Sequence, residues 1–219
     1  LIKQKKLAAL AFVMLITGGL CLSEQAPVSA AAAPILKQGS QSNDVADLQF
    51  RLQTLGYYKD TITTKYGMTT RSAVINFQKA NGIKGDGIAG PETWRKLKKL
   101  SVNKPELSKL ARIIYSEARG EVYKGQVAVG AVVMNRLKSP LFPKTVTDVI
   151  FEPFAFTAVA DGQYWLIPNN SAFLAAKDAV RGWDPTKNAL YYYNPTTAKS
   201  KWILTRKVTT KIGRHVFAI

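Results

Sequence analysis

The sequence predicts an α+β protein in two parts, a small three-helix bundle over residues 35–100 and a two-lobed α+β domain over 106–219, joined by a short link at 101–105. Three observations predict it. Apolar residues recur at three- and four-residue steps through most of the chain. Glycines and prolines divide those stretches into separate helices. Strand-like runs broken by turns appear only near the end. A length of 219 residues leaves room for two small domains.

The first thirty residues belong to neither part. Lys3, Lys5 and Lys6 precede an apolar run from Leu7 to Leu22, interrupted only by Thr17, Gly18 and Gly19, and Val28-Ser29-Ala30 is a small-residue cleavage pattern. Residues 1–30 therefore read as a signal peptide cut after Ala30, with Ala32 as the neighbouring choice, and the protein as exported. The run is short for a membrane-spanning anchor, and Leu20 stands where a lipoprotein would carry a small residue before Cys21.

Charge and inventory narrow the chemistry. The chain carries 31 basic and 14 acidic residues, a formal charge of +17; without the leader, 28 and 13 remain. Such an exported protein meets something anionic or polyhydroxylated outside the membrane, and cell-wall polymer fits better than nucleic acid, for which no binding motif is visible. Cys21 is the only cysteine and leaves with the leader, and His215 is the only histidine. No disulfide, thiol nucleophile or multi-histidine zinc site is then available, so neither metal nor cofactor is expected. A Ser-His-Asp triad would rest on His215 alone, which reads as structural within the strand-like GRHVFAI. Carboxylates, hydroxyls, amides and aromatics remain.

In the first part, Val45, Leu48, Leu52 and Leu55 mark a helix ended by Gly56. A second covers about Thr70 to Asn81 with Ala73, Val74 and Phe77 inward, and Pro91 opens a third. Three short helices give a thin core, in which Trp94 packs. Ser101 to Pro105 is a polar link. The second part opens with LSKLARIIYSEARGE, whose buried stripe is Leu107, Leu110, Ala111, Ile114 and Ala118. Glu117 shares a face with Ile113 and Ile114, so burial and the negative helix end both push its pKa upward, as a proton donor near neutral pH requires. GQVAVGAVVMNRLK is apolar almost all round and belongs at a domain centre, with Gly130 allowing a close approach, expected from the Glu117 helix. A short helix at Thr145–Val149, a strand or loop at FAFTAVADG, a helix at SAFLAAKDAVRGW and strand-like runs in GWDPTKNALYYYNP, SKWILT and KIGRHVFAI complete the pattern.

Two resemblances add to this. DVADLQFRLQTLGYY, Gly67 to Thr70 and AVINFQKANGIKGDGIAGPETWRKL resemble the small peptidoglycan-binding domain appended to many wall-lytic enzymes. Thr63-Thr64-Lys65-Tyr66-Gly67 stands where that family usually has an Asp-Gly turn. IYSEARGEVYKGQVAVGAVVMNRL, FEPFAFTAVADGQYW, GWDPTKNALYYYNP and SKWILTR, in that order, resemble the catalytic domain of spore cortex-lytic enzymes, themselves similar to lytic transglycosylases. Family C-termini often end in an aromatic and Cys, whereas Phe217-Ala218-Ile219 stands here.

The resemblance implies cleavage of the N-acetylmuramic acid–N-acetylglucosamine bond during germination, a family acid mapping onto Glu117, peptidoglycan as partner and a membrane-anchored protein as a second one. One protonated carboxyl suffices if the sugar's own 6-hydroxyl attacks C1. Among eight acids in the second part, Glu117 ranks first, then Glu121, which stacks beside it only if the helix survives Gly120, then Glu152. Thr157, Gln163, Tyr191, Tyr192, Asn194 and Trp202 suit a glycan cleft, although strand alternation sends at least one tyrosine into the core. The rival readings are an N-acetylmuramoyl-L-alanine amidase, which ordinarily wants zinc or cysteine, and a non-enzymatic wall-binding protein.

Overall fold

Residues 33–219 are described by the structure, a computed structural model; the leader expected at residues 1–30 lies outside them. Three helices, α1 (Asn43–Thr54), α2 (Met68–Ala80) and α3 (Pro91–Leu100), enclose the first core. Ser42 caps α1 by accepting from the Asp44 N–H, and Pro91 opens α3, where its missing N–H costs nothing. Val45, Leu48, Leu52, Val74, Phe77 and Leu97 are fully buried. Trp94 packs with them, and its Nε1–H donates to the Pro34 carbonyl at 2.8 Å.

Two buried glutamines supplement this thin core with the same device. Gln49 of α1 accepts the Thr63 N–H (2.7 Å) and donates to the Lys65 carbonyl (3.0 Å) and Thr70 Oγ1 (2.9 Å). Gln78 of α2 accepts the Gly87 N–H (3.0 Å) and donates to the Ile88 carbonyl (3.0 Å) and Thr93 Oγ1 (3.1 Å). Each amide ties a loop to the threonine of a Gly-x-x-Thr helix start, Gly67 to Thr70 or Gly90 to Thr93. A buried amide used at both ends is favourable, because none of its polar atoms is stranded. The segment departing from the Asp-Gly pattern is thereby held firmly.

The link is neither solvated nor five residues long. Helix α4 runs Lys104–Ala118, because Asn103 and Glu106 form a reciprocal capping box and Pro105 falls in the tolerant first turn. Ser101 and Val102 are buried, and Arg51 Nη1 donates to the Ser101 carbonyl at 3.2 Å. Arg181 Nε donates to the Thr54 carbonyl at 2.7 Å, while Phe50 and Leu55 pack against the second core.

That second core forms between α4, α5 (Tyr123–Lys138) and α8 (Asn170–Val180), with the short α6 (Val146–Ile150) and α7 (Thr157–Ala160) between them in sequence. Helix α5 is buried on nearly every side. At Gly130 a Cβ would stand 2.8 Å from Ile114 Cδ1 of α4 and 3.0 Å from the Ala179 Cβ of α8. The close approach expected there is made by side chains of two helices. Strands β1 (Tyr191–Tyr193), β2 (Val208–Ile212) and β3 (His215–Ala218) form an antiparallel sheet in the order β1-β3-β2, with Tyr192 opposite Phe217.

Two expectations change. FAFTAVADG is a short helix, α7, behind the buried Phe156. The SKWILT run holds α9 (Lys201–Leu204) in place of a strand. None of the α9 residues is buried, so its apolar side chains answer to no core periodicity.

Candidate active site

Glu117 stands in the last turn of α4, half-buried, where three elements meet. Its Oε1 accepts the Ala158 N–H of α7 at 2.8 Å, and its Oε2 accepts the Tyr192 hydroxyl of β1 at 2.9 Å. Ala158 lies in the first turn of α7, whose N–H groups have no intrahelical acceptor, so the carboxyl satisfies a donor the fold leaves open. Burial raises the Glu117 pKa. The two donated hydrogen bonds pull it down and the charge of Asp161 pushes it up, leaving it above the ordinary 4.5. Burial and Glu117 in turn hold the Tyr192 hydroxyl well above its usual range, so it stays a donor at neutral pH.

The carboxyl opens into a cleft of about 930 Å³, ample for sugar rings. Thr157, Tyr191, Asn194 and Trp202 line it together with Glu117 and Glu152. Tyr191 and Trp202 meet edge to face at 5.1 Å, and Arg206 lies 4.4 Å over the Trp202 ring.

Glu121 and Gln163 are held elsewhere, outside the cleft lining. Glu121 Oε1 pairs with Arg214 Nε at 2.9 Å, and its Oε2 accepts the Arg214 N–H at 3.1 Å. Burial would raise its pKa, but the Arg214 backbone and side-chain hydrogen bonds outweigh burial and hold it below 4.5. Its side chain is 6% exposed. Gly213 is left-handed (φ 58°), and a Cβ there would fall 1.9 Å from Glu121 Oε2. Helix α4 ends at Ala118, so the four-residue spacing that would set Glu121 beside Glu117 does not apply. Gly120 instead leaves room for the Arg214 guanidinium, 2.8 Å from where its Cβ would stand. Gln163 is spent on Asp161, to which its Nε2 donates at 2.7 Å, and on Arg119, from which its Oε1 accepts at 2.8 Å.

The cleft also contains Arg136 and Phe154, which the sequence reading passed over, and His215, which it read as structural. Arg136 of α5 is 5% exposed; its Nε donates to the Leu190 carbonyl at 2.8 Å, and its guanidinium lies 5.0 Å from the ring centres of Phe142 and Phe156. Its Nη1 has no hydrogen-bond partner among the described residues. Burial depresses its pKa while Tyr192 and Glu152 favour the charge. A lone arginine in a helix apolar on nearly every side was the signal for it. His215 lines the cleft too, edge-on to Tyr192 at 5.1 Å, and burial lowers its pKa against the pull of Glu121. Phe154 projects from the rim.

Residues 120–218 match the family described as Cell Wall Hydrolase, a stretch beginning three residues past Glu117, and residues 41–97 match a peptidoglycan binding domain family. The spore cortex-lytic enzyme of Bacillus cereus is 42% identical over 87% of this chain and 88% of its own. That of Oceanobacillus iheyensis is 42% identical over 84% and 86%. The chain belongs to the spore cortex-lytic enzyme family. Among solved structures of the family, the catalytic domain of the germination-specific lytic transglycosylase SleB from Bacillus anthracis is 57% identical. It covers 54% of this chain and 97% of that one, with a TM-score of 0.52. The helix-rich fold with a small C-terminal sheet, preceded by a peptidoglycan-binding module, is thus the architecture of spore cortex-lytic enzymes.

Proposed function

We propose that this protein cleaves the N-acetylmuramic acid–N-acetylglucosamine bond of spore cortex peptidoglycan during germination, as a lytic transglycosylase. The observation that carries the reading is Glu117: a half-buried carboxyl, facing a glycan-sized cleft, with a raised pKa and two donors fixing its oxygens. A pKa raised above the ordinary carboxyl range is the direction a general acid working near neutral pH requires. Glu117 gives its proton to the bridging oxygen as the bond from muramic C1 to that oxygen breaks. The Glu117 carboxylate then takes the proton of the muramic 6-hydroxyl as that oxygen bonds C1, leaving a 1,6-anhydro ring and a regenerated acid. The Ala158 N–H and the Tyr192 hydroxyl support the carboxylate between the two transfers.

Thr157, Tyr191, Asn194 and Trp202 bind the glycan along the cleft. Residues 41–97 hold the wall polymer, and the net positive charge suits its anionic appendages. In this reading the protein is exported by the leader at residues 1–30, acts at the cortex or outer face of the inner membrane, and works beside a membrane-anchored protein partner. Nucleic acid and cofactors play no part.

The test is Glu117→Gln, assayed on purified cortex beside vegetative wall with products resolved by mass. The expected outcome is retained wall binding with loss of anhydro-muropeptide release by about 10²–10⁴-fold. Full activity in that variant overturns the assignment of Glu117, and release of intact stem peptide in place of anhydro sugars overturns the reaction.

A further inference from the structure

Phe154 is placed where its side chain has no reason of folding to be. It is 104% exposed, so it gains nothing from burial. Its φ is 63°, a left-handed conformation that carries a cost for a bulky residue. The cause is local: the Ala155 N–H donates to the Glu152 carbonyl at 3.0 Å, closing a four-residue turn with Pro153 at the second position and Phe154 at the third. A turn with proline second and a positive φ third ordinarily carries glycine or asparagine third. Among the described residues, the other left-handed non-glycine positions, Lys187 and Asn188, are polar, and the Asn188 N–H donates to Asp184 at 2.8 Å. Phe154 forms no aromatic pair among the described residues. Proline fixes the turn, and the turn holds a bare aromatic ring on the rim of the cleft that contains Glu117.

An aromatic face there matches one chemistry well. A pyranose ring presents a face of C–H bonds that stacks on a flat apolar surface while its hydroxyls remain in water, which suits a ring exposed on one side. We propose that Phe154 is a sugar-stacking platform, binding a ring of the glycan adjoining the bond that Glu117 protonates. The proposal rests on the glycan-cleaving reading of the cleft.

The experiment compares the full chain with Phe154→Gly, Phe154→Trp and Glu117→Gln on solubilised cortex glycan chains, measuring kcat, KM, the melting temperature and binding to phosphatidylglycerol vesicles. Phe154→Gly should melt at the same temperature or higher, because glycine accepts the left-handed turn. Its KM should rise about tenfold with kcat within about twofold. Phe154→Trp, which keeps a flat face, should stay near the parent KM. An unchanged KM in Phe154→Gly overturns the proposal, as does a KM rise accompanied by a fall in melting temperature, which marks a structural role. Failure of tryptophan to restore binding also overturns it. So does loss of binding to phosphatidylglycerol vesicles with unchanged glycan kinetics, which would make the ring a membrane contact. Glu117→Gln separates the layers: an inactive Glu117→Gln beside an unaffected Phe154→Gly removes only the platform, whereas an active Glu117→Gln removes the cleft reading itself.

Discussion

Glu117 and Glu121 stand four residues apart, both largely withdrawn from water, and their carboxyls shift in opposite directions. Glu117 meets one backbone N–H and one neutral hydroxyl, so burial dominates and its proton is held more tightly. Glu121 meets a guanidinium and the N–H of the same residue, Arg214, and stays ionised. Burial alone therefore does not make a proton donor; at Glu121 the hydrogen bonds from Arg214 outweigh it. One carboxyl is free to exchange a proton with a substrate, while the other pins the β2–β3 turn to the end of α4.

The contrast can be broken by substitution. Glu117→Gln should produce the largest change, the loss of activity stated above, whereas Glu121→Gln should leave the chemistry intact and lower stability. Tyr192→Phe should come next. It deletes the hydroxyl that favours the carboxylate, so the Glu117 pKa rises further, the alkaline limb of the pH–rate profile moves to higher pH, and kcat falls about tenfold. An alkaline limb moving to lower pH would contradict the assigned cause. Arg214→Ala should cost about 1–3 kcal/mol near neutral pH by leaving Glu121 buried without its partner. Because the Glu121 pKa is depressed, the stability it contributes is present above its ordinary 4.5 and is lost as pH falls through the folded value. The gap between Arg214→Ala and the parent in a denaturant titration should accordingly close in acid.

The smallest effect has the reverse sign. With its folded pKa raised, Glu117 leaves the protein most stable below 4.5 and less so as pH climbs through the folded value. Glu117→Gln should then melt slightly higher than the parent at pH 7 and equally at pH 4. The glutamine oxygen can still accept from Ala158, and its nitrogen can donate to the Tyr192 oxygen.

Much of this was readable in the residues, and the failures have physical causes. Helices α1, α2 and α4 follow three- and four-residue periodicity, α3 shows by its opening proline and α5 by a run apolar almost all round, local signals that survive without a partner. Glu117 was singled out by its apolar face and by the shortage of histidine and cysteine for other chemistry. The destination of Glu121 was not readable, since Arg214 lies 93 residues away and the α4 end at Ala118 cancels the spacing argument. Strand alternation could not decide which of Tyr191, Tyr192 and Tyr193 turns inward; the pairing with β3 decides it. The link looked polar, yet Arg51 and Arg181 close across it, contacts that composition does not reveal.

The bond from Tyr192 to Glu117 spans 75 residues, and Tyr192 is held in turn by Phe217 on the neighbouring strand. The acid thus appears early in a growing chain, while the groups that tune it come late. The pairing of β1 with β3 is what brings the Tyr192 hydroxyl to Glu117 and completes the cleft wall. Contacts of such long range are late to be rewarded in folding. The acid and the wall of its cleft are therefore made by opposite ends of the catalytic domain, and only the closed sheet joins them.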